Sequence, residues 1–429
     1  MTTDAAAKGC PVHESFDPLS PEYLADPYAV LASLPLEEGP VFYAPSIGYY
    51  VVTRYADVMQ VYGDPQTYSA AVAQQPLAAL IPEAQQILLD GGHRPQPSMV
   101  SLDEPAHARL RRPATRAFTV ARVNAMAPTI RNTIRELLDA VGETDRFDLV
   151  ATLAFPLPAN TIFSLLGVPT DDHEQLKRWC GYRAALSWGR PDPDDQVEIA
   201  SNLVAYRHYL RDLVEAKLRE RADDLTSALL AIHDEDPERL TLAEIASILF
   251  SLSFAGHETT TGLIGNTVRR LLEEPARWDA LVADRALIPA AVQETLRYDP
   301  PVPTWRRVTT RPVTLAGIHL PEGAKVLLWL AATGRDPSVF PDPDRFDLHR
   351  TNADKHLAFG ADLHYCLGAS LGRLEARLAV EELIDRFPHL RLVDGQTLTF
   401  HPNISFRGPQ ALWVRGRTRP VNLAASPSS

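Results

Sequence analysis

One cysteine in this chain stands where a thiolate would be useful. The segment HLAFGADLHYCLGASLGRLEARLAVEEL places Cys366 at the entry to a helical pattern running from Leu367 to Phe387. Unpaired backbone N–H groups and the positive end of the helix dipole stabilise a thiolate there. Gly360 and Gly368 flank the cysteine, and without side chains they let the backbone fold tightly around the sulfur and a flat macrocycle approach it. A thiolate so held can ligate iron, and electron donation from sulfur favours cleavage of an O–O bond.

A second constellation interrupts the apolar pattern from Leu242 to Glu273 with Gly256-His257-Glu258-Thr259-Thr260. An acid and an alcohol inside an apolar helix are costly unless they line a cavity or take part in chemistry. A positioned carboxyl, hydroxyl and water chain is a means of delivering protons. His257-Glu258 could begin an H-E-x-x-H zinc signature, but position 261 is threonine, which excludes that metalloprotease reading. Glu294 and Arg297 are three apart, and His107 and Arg111 four apart, so each pair shares a helical face.

The elements that must position these groups are mostly helices. Helical spacing runs over Ala121 to Val141, Val197 to Arg221, Leu242 to Glu273, Ile288 to Tyr298 and Leu367 to Phe387. PVFYAPSIGYYVVTR predicts a hairpin around Pro45 to Gly48, and VTLAGIHLPEGAKVLLWL a second around Pro321 to Gly323. The expected fold class is mainly α with small β-sheets. Residues 1–15 read as an N-terminal tail, 16–414 as one domain, and 415–429 as a C-terminal tail or the start of an interdomain linker. No internal repeat is present.

Composition bounds the function. The chain has 429 residues, 45% hydrophobic and 22% charged, enough for a large core with a prosthetic group inside it. A net charge of -12, without basic runs interleaved with aromatics, makes nucleic acid a poor partner. The longest apolar stretch, Ile245 to Gly256, is too short to span a bilayer, and the N-terminus has no apolar signal core. A cytoplasmic protein with no membrane partner is expected. Cys10, Cys180 and Cys366 cannot all pair, form no C-x-x-C unit, and are too few for an iron–sulfur cluster held by four cysteines. No G-x-G-x-x-G follows a strand, so electrons for redox chemistry must come from another protein or domain.

Phe359, Gly360, His364, Cys366 and Gly368, as F-G-x-x-x-H-x-C-x-G, resemble the heme-binding loop of cytochromes P-450. The resemblance extends from about Phe16 to Val414. It implies heme b, with Cys366 as the ligand to iron and with Phe359, Gly360 and Gly368 around the sulfur. Heme propionates need cationic or hydrogen-bonding partners when buried; the matching positions are His107, Arg111, Arg307 and His364, with Arg306 and Arg112 as adjacent alternatives. On the other face, AGHETT matches the family's oxygen-site helix, which places Ala255 beside the heme and gives Glu258 and Thr259 a proton relay. Glu294, Arg297 and, from FPDPDRF, Arg345 match an ion network that braces the heme loop.

The resemblance implies a monooxygenase that inserts one atom of O2 into a small apolar, aromatic or aliphatic substrate by hydroxylation, O-dealkylation or sulfoxidation. Apolar residues including Val72, Leu80, Met99, Trp188, Phe254 and Phe406 fall in the family's substrate-facing stretches. TWRRVTTR, SWGRPDPDDQV and PNISFRGPQALWV most resemble heme domains of bacterial self-sufficient members, whose partner is an FMN/[2Fe-2S] reductase, fused or separate, using NAD(P)H. A peroxide-dependent oxygenase could share the cysteine side of the site, and a heme-binding sensor would not need Glu258 and Thr259.

Overall fold

The computed structural model describes residues 9–36, 39–92, 98–142 and 144–416. Residues 1–8 of the expected N-terminal tail, and 417–429 of the expected C-terminal tail or linker, lie outside the described residues. Helices dominate, as expected, and small sheets flank them.

The central element is the Leu242–Glu273 helix, whose bounds match the sequence expectation. Thr241 caps it through the Glu244 N–H while the Glu244 carboxylate returns to the Thr241 N–H. This reciprocal box satisfies two otherwise free donors. Buried along most of its length, the helix packs on Pro156–Leu166, Pro193–Arg219 and Ala369–Arg386. The expected helix from Ala121 to Val141 is two, Val120–Ala125 and Ala127–Asp139. Pro128 has no N–H to bond back to Asn124, so the ladder breaks there.

The strands are β1 (Val41–Ala44), β2 (Tyr49–Val52), β3 (Tyr68–Ser69), β4 (Arg146–Asp148), β5 (Trp305–Thr309), β6 (Val313–Leu315), β7 (Ile318–Leu320), β8 (Lys325–Leu328), β9 (Arg391–Leu392) and β10 (Trp413–Arg415). The first hairpin forms as expected, with Val41 opposite Val52 and Ala44 opposite Tyr49. The second does not turn at Pro321 to Gly323. Its turn is Ala316-Gly317, both with positive φ (48° and 82°), joining β6 to β7. This is the backbone twist that a two-residue hairpin turn favours. β8 then leaves for the larger sheet, ordered β1-β2-β8-β5-β3. At that sheet's edge His13 and Pro11 bond the backbone of Tyr43 at 3.0 and 2.8 Å. Part of the expected tail therefore lies against β1.

Two buried ionic clusters tie helices to one another and to neighbouring loops. Asp299, fully buried, accepts from Arg270 at 3.0 Å, Arg407 at 3.3 Å, Tyr28 Oη at 3.0 Å, and Arg269. Burial alone would raise this carboxyl, but Arg270, Arg269 and Arg407 hold it well below the usual carboxylate range. The second cluster contains Glu294 and Arg297, paired through 2.6 and 2.8 Å bonds. Its third cation is Arg350, at 3.1 Å from Glu294 Oε1. Arg345, expected in that role, is exposed and contributes its main-chain carbonyl, which accepts from Arg297 at 2.9 Å. Sequence spacing alone does not distinguish the two arginines, because the chain turns back on itself between them.

Candidate active site

Cys366 lies in the loop just before the Ala369–Arg386 helix, and its N–H donates to the Phe359 carbonyl at 2.9 Å. Gly360 adopts φ 68°, a left-handed conformation that favours glycine, and so lets the loop close. A Cβ on Gly368 would stand 4.0 Å from the Cys366 sulfur, in ordinary contact. Burial pushes the thiol up; the backbone N–H groups of Gly368 and Ala369 and the guanidinium groups of Arg111 and Arg373 oppose it. Among the described residues Cys366 is the half-buried cysteine, whereas Cys10 and Cys180 are buried. Burial pushes their thiols up to about 11 and about 12, as expected of inert packing cysteines.

Beside the loop the structure brings together all four expected anion-binding groups. The His107 and His364 rings lie 4.4 Å apart. His364 is pushed down to about 3 by burial, with Arg307, His107 and Arg111 adding to the effect. Arg111 reaches the Tyr365 carbonyl at 2.6 Å, and Arg307 bonds the carbonyl of Arg306 at 2.9 Å. Neither arginine forms an ion pair among the described residues, and burial pushes both guanidinium groups down. Nε2 of His107 and Nε2 of His364 are buried with no hydrogen-bond partner. Two guanidinium groups without a counter-ion and two buried imidazole nitrogens without a partner among the described residues are costly by themselves and suit an anionic group.

The Leu242–Glu273 helix, which packs on the Ala369–Arg386 helix that follows Cys366, exposes Ala255 within a mostly buried run, while Glu258 and Thr259 are half-buried. Thr259 Oγ1 donates to the Ala255 carbonyl at 2.7 Å. Burial raises the Glu258 carboxyl, opposed by His401. His257, which has no role in the sequence analysis beyond the excluded zinc signature, is buried against Phe155 at 4.6 Å and pushed down to about 3 by that burial.

The two alternative arginines take other places. Arg112 is exposed, and Arg306 is buried but points its guanidinium at Ala73, Gln75 and Ser187. Arg373 is a site residue that the sequence reading missed. It lies 4.4 Å over the Phe359 ring, and its charge acts on Cys366. Helical spacing from the cysteine does not point to it, because Cys366 precedes the helix on which Arg373 lies.

The cytochrome P450 family model matches residues 276–407. Cytochrome P450 monooxygenase PikC of Streptomyces venezuelae is 41% identical over 327 residues, 75% of this chain and 77% of that protein. Full-length CYP116B46 from Tepidiphilus thermophilus superposes with a TM-score of 0.90 at 35% identity, over 94% of this chain and 53% of that one. Cytochrome P450 CREJ, solved with (4-ethylphenyl) dihydrogen phosphate, has a TM-score of 0.88 at 37% identity, covering 94% and 99%. This chain belongs to the cytochrome P450 family. It is an oxidoreductase, a heme-thiolate monooxygenase whose cofactor is heme b and whose co-substrate is O2. The donor set fits that cofactor: among the described residues, one half-buried cysteine sulfur, and beside it guanidinium groups without an ion-pair partner for two carboxylates.

Proposed function

We propose that Cys366 holds the heme iron as thiolate, that His107, Arg111, Arg307 and His364 bind the propionates, and that Phe359, Gly360, Gly368 and Ala255 shape the two faces of the cofactor site. The observation that carries this reading is the pair of orphaned imidazole nitrogens and unpaired guanidinium groups gathered beside the cysteine loop. Bound heme supplies activation of O2 and transfer of one of its atoms to substrate. Against the burial that favours the thiol at Cys366, the Gly368 and Ala369 N–H groups, Arg111 and Arg373 act toward the thiolate. Burial keeps the Glu258 carboxyl protonated at higher pH than an exposed acid, so it has a proton to give. Thr259, with its own proton on the Ala255 carbonyl, offers lone pairs to an incoming donor. Glu258 and Thr259 are therefore the proton-relay pair.

The substrate in this reading is a small apolar compound, aromatic or aliphatic, hydroxylated, O-dealkylated or oxidised at sulfur. Support comes from the rings gathered near Ala255: Phe254, Phe406 and Trp188 lie within 4.9–5.4 Å of one another. Electrons come from NAD(P)H through an FMN/[2Fe-2S] reductase, fused or separate. This is supported by the match of this chain to 53% of the longer CYP116B46 chain. No described helix is long and apolar enough to cross a membrane, and a cytoplasmic location is part of the same proposal. The test is turnover with reductase and NAD(P)H under isotopically labelled dioxygen. Label in the product supports the reading; product formed with peroxide alone, and none with reductase, refutes it in favour of a peroxide-dependent oxygenase.

A further inference from the structure

Arg306 stands out among the buried cations. It is fully buried on β5, and among the described residues no carboxylate pairs with it. Its guanidinium donates to three main-chain carbonyls, Ala73 at 2.8 Å, Gln75 at 2.9 Å and Ser187 at 3.2 Å, and reaches Tyr49 Oη at 3.5 Å. Those acceptors belong to the loop after β3, to the end of the His173–Trp188 helix and to β2. Burying a charge without a counter-charge costs several kcal/mol in general, and a planar fork of five donors is the side chain that can join separate segments at once. Lysine has one ammonium and glutamine one amide to do the same.

The segments so joined carry the wall behind Ala255. Trp188 follows Ser187, and its indole N–H bonds the same Ala73 carbonyl at 3.1 Å. The Trp188 carbonyl accepts from Ile404 at 2.9 Å. Its ring stacks on Phe254, with centroids 5.4 Å apart and planes 9° apart, and meets Phe406 edge-on at 4.9 Å. Phe254 immediately precedes the exposed Ala255.

We propose that Arg306 is a positioning residue for substrate selection. By pinning the 73–75 loop and the end of the His173–Trp188 helix to β5, it fixes Trp188, Phe254 and Phe406 as a rigid aromatic back wall that limits the size of the substrate. This rests on the reading that substrate binds beside Ala255.

The test compares the wild-type holoenzyme with R306K and W188F, titrating each with a graded series of apolar ligands, from phenol to long-chain alkylphenols, followed by the heme absorption shift. In R306K the ratio of bulky-ligand to small-ligand affinity rises about tenfold, the equivalent of one charge-assisted hydrogen bond lost from the wall. W188F, which keeps an aromatic ring but loses the bond to Ala73, moves the same ratio in the same direction by about threefold. It reads out the wall independently should R306K fail to retain heme. A purely structural role would lower thermal stability and leave the ratio unchanged in both variants, which overturns the inference alone. Failure of every ligand to shift the wild-type spectrum overturns the site reading and the inference with it.

Discussion

Replacing Glu375 by glutamine should stabilise the protein, increasingly so as pH rises. Glu375 lies on the Ala369–Arg386 helix, 1% exposed, and its Oε1 has no hydrogen-bond partner among the described residues. Burial pushes its carboxyl from the ordinary 4.5 up to about 8, opposed by a hydrogen bond with Thr161. The unfolded chain releases this proton near the ordinary value, whereas the folded chain keeps it to about pH 8. Between those limits the unfolded state binds fewer protons, so stability falls by about 1.4 kcal/mol for each pH unit. The whole window costs the fold on the order of 5 kcal/mol. Glutamine has the same shape and no proton to lose, and its amide can donate to Thr161 Oγ1, whose own proton goes to the Leu157 carbonyl at 2.9 Å. The assay is the unfolding midpoint of both holoproteins in denaturant at several values between about pH 5 and pH 8. The variant should match the wild type at the acid end and exceed it by several kcal/mol at the alkaline end. A difference that is flat with pH, or a variant destabilised equally throughout, would refute the reasoning.

Asp299→Asn leaves Arg269, Arg270 and Arg407 without their shared carboxylate, and should cost about 3–5 kcal/mol in denaturant unfolding; a loss below about 1 kcal/mol would contradict the cluster's role. Arg350→Ala should destabilise the heme-loaded protein by about 1–3 kcal/mol, whereas Arg345→Ala, at an exposed side chain, should change it by less than about 0.5 kcal/mol. Thermal melts of the two would show the reverse order if Arg345 were the third member of the network. Thr259→Ala should leave heme binding intact but lower the yield of product per NAD(P)H consumed; unchanged coupling removes the threonine from the relay.

The parts of the fold that were legible are those whose local signals agree. The Leu242–Glu273 helix has a capping box at its start and the Pro275–Ala283 helix at its end, and its bounds followed from the sequence. The His173–Trp188 helix was missed because it buries His173, Lys177 and Arg183, so its polar residues do not mark a solvent face and the helical stripe disappears. Pro156–Leu166 was missed for the opposite reason. It is buried nearly all round and opens with Pro-Leu-Pro, which reads as a loop. Of the candidate site, Cys366, Gly360, His364, His107, Arg111 and Arg307 were legible because the heme-loop and helix motifs fix them one by one, and the structure brings these residues together. The choice of Arg350 over Arg345, the inward course of Arg306 and the approach of Arg373 to Phe359 depend on tertiary turns that spacing does not encode.

The central claim is the Cys366 thiolate, and the carbon monoxide difference spectrum of the dithionite-reduced protein tests it most directly. A thiolate opposite carbon monoxide shifts the main heme band far to the red. Wild type, Cys10→Ser and Cys180→Ser should all show that red-shifted band, since Cys10 and Cys180 are buried packing residues, and Cys366→Ser alone should lose it. A red-shifted band that survives in Cys366→Ser, or one absent from freshly prepared wild-type protein fully loaded with heme, would contradict the account.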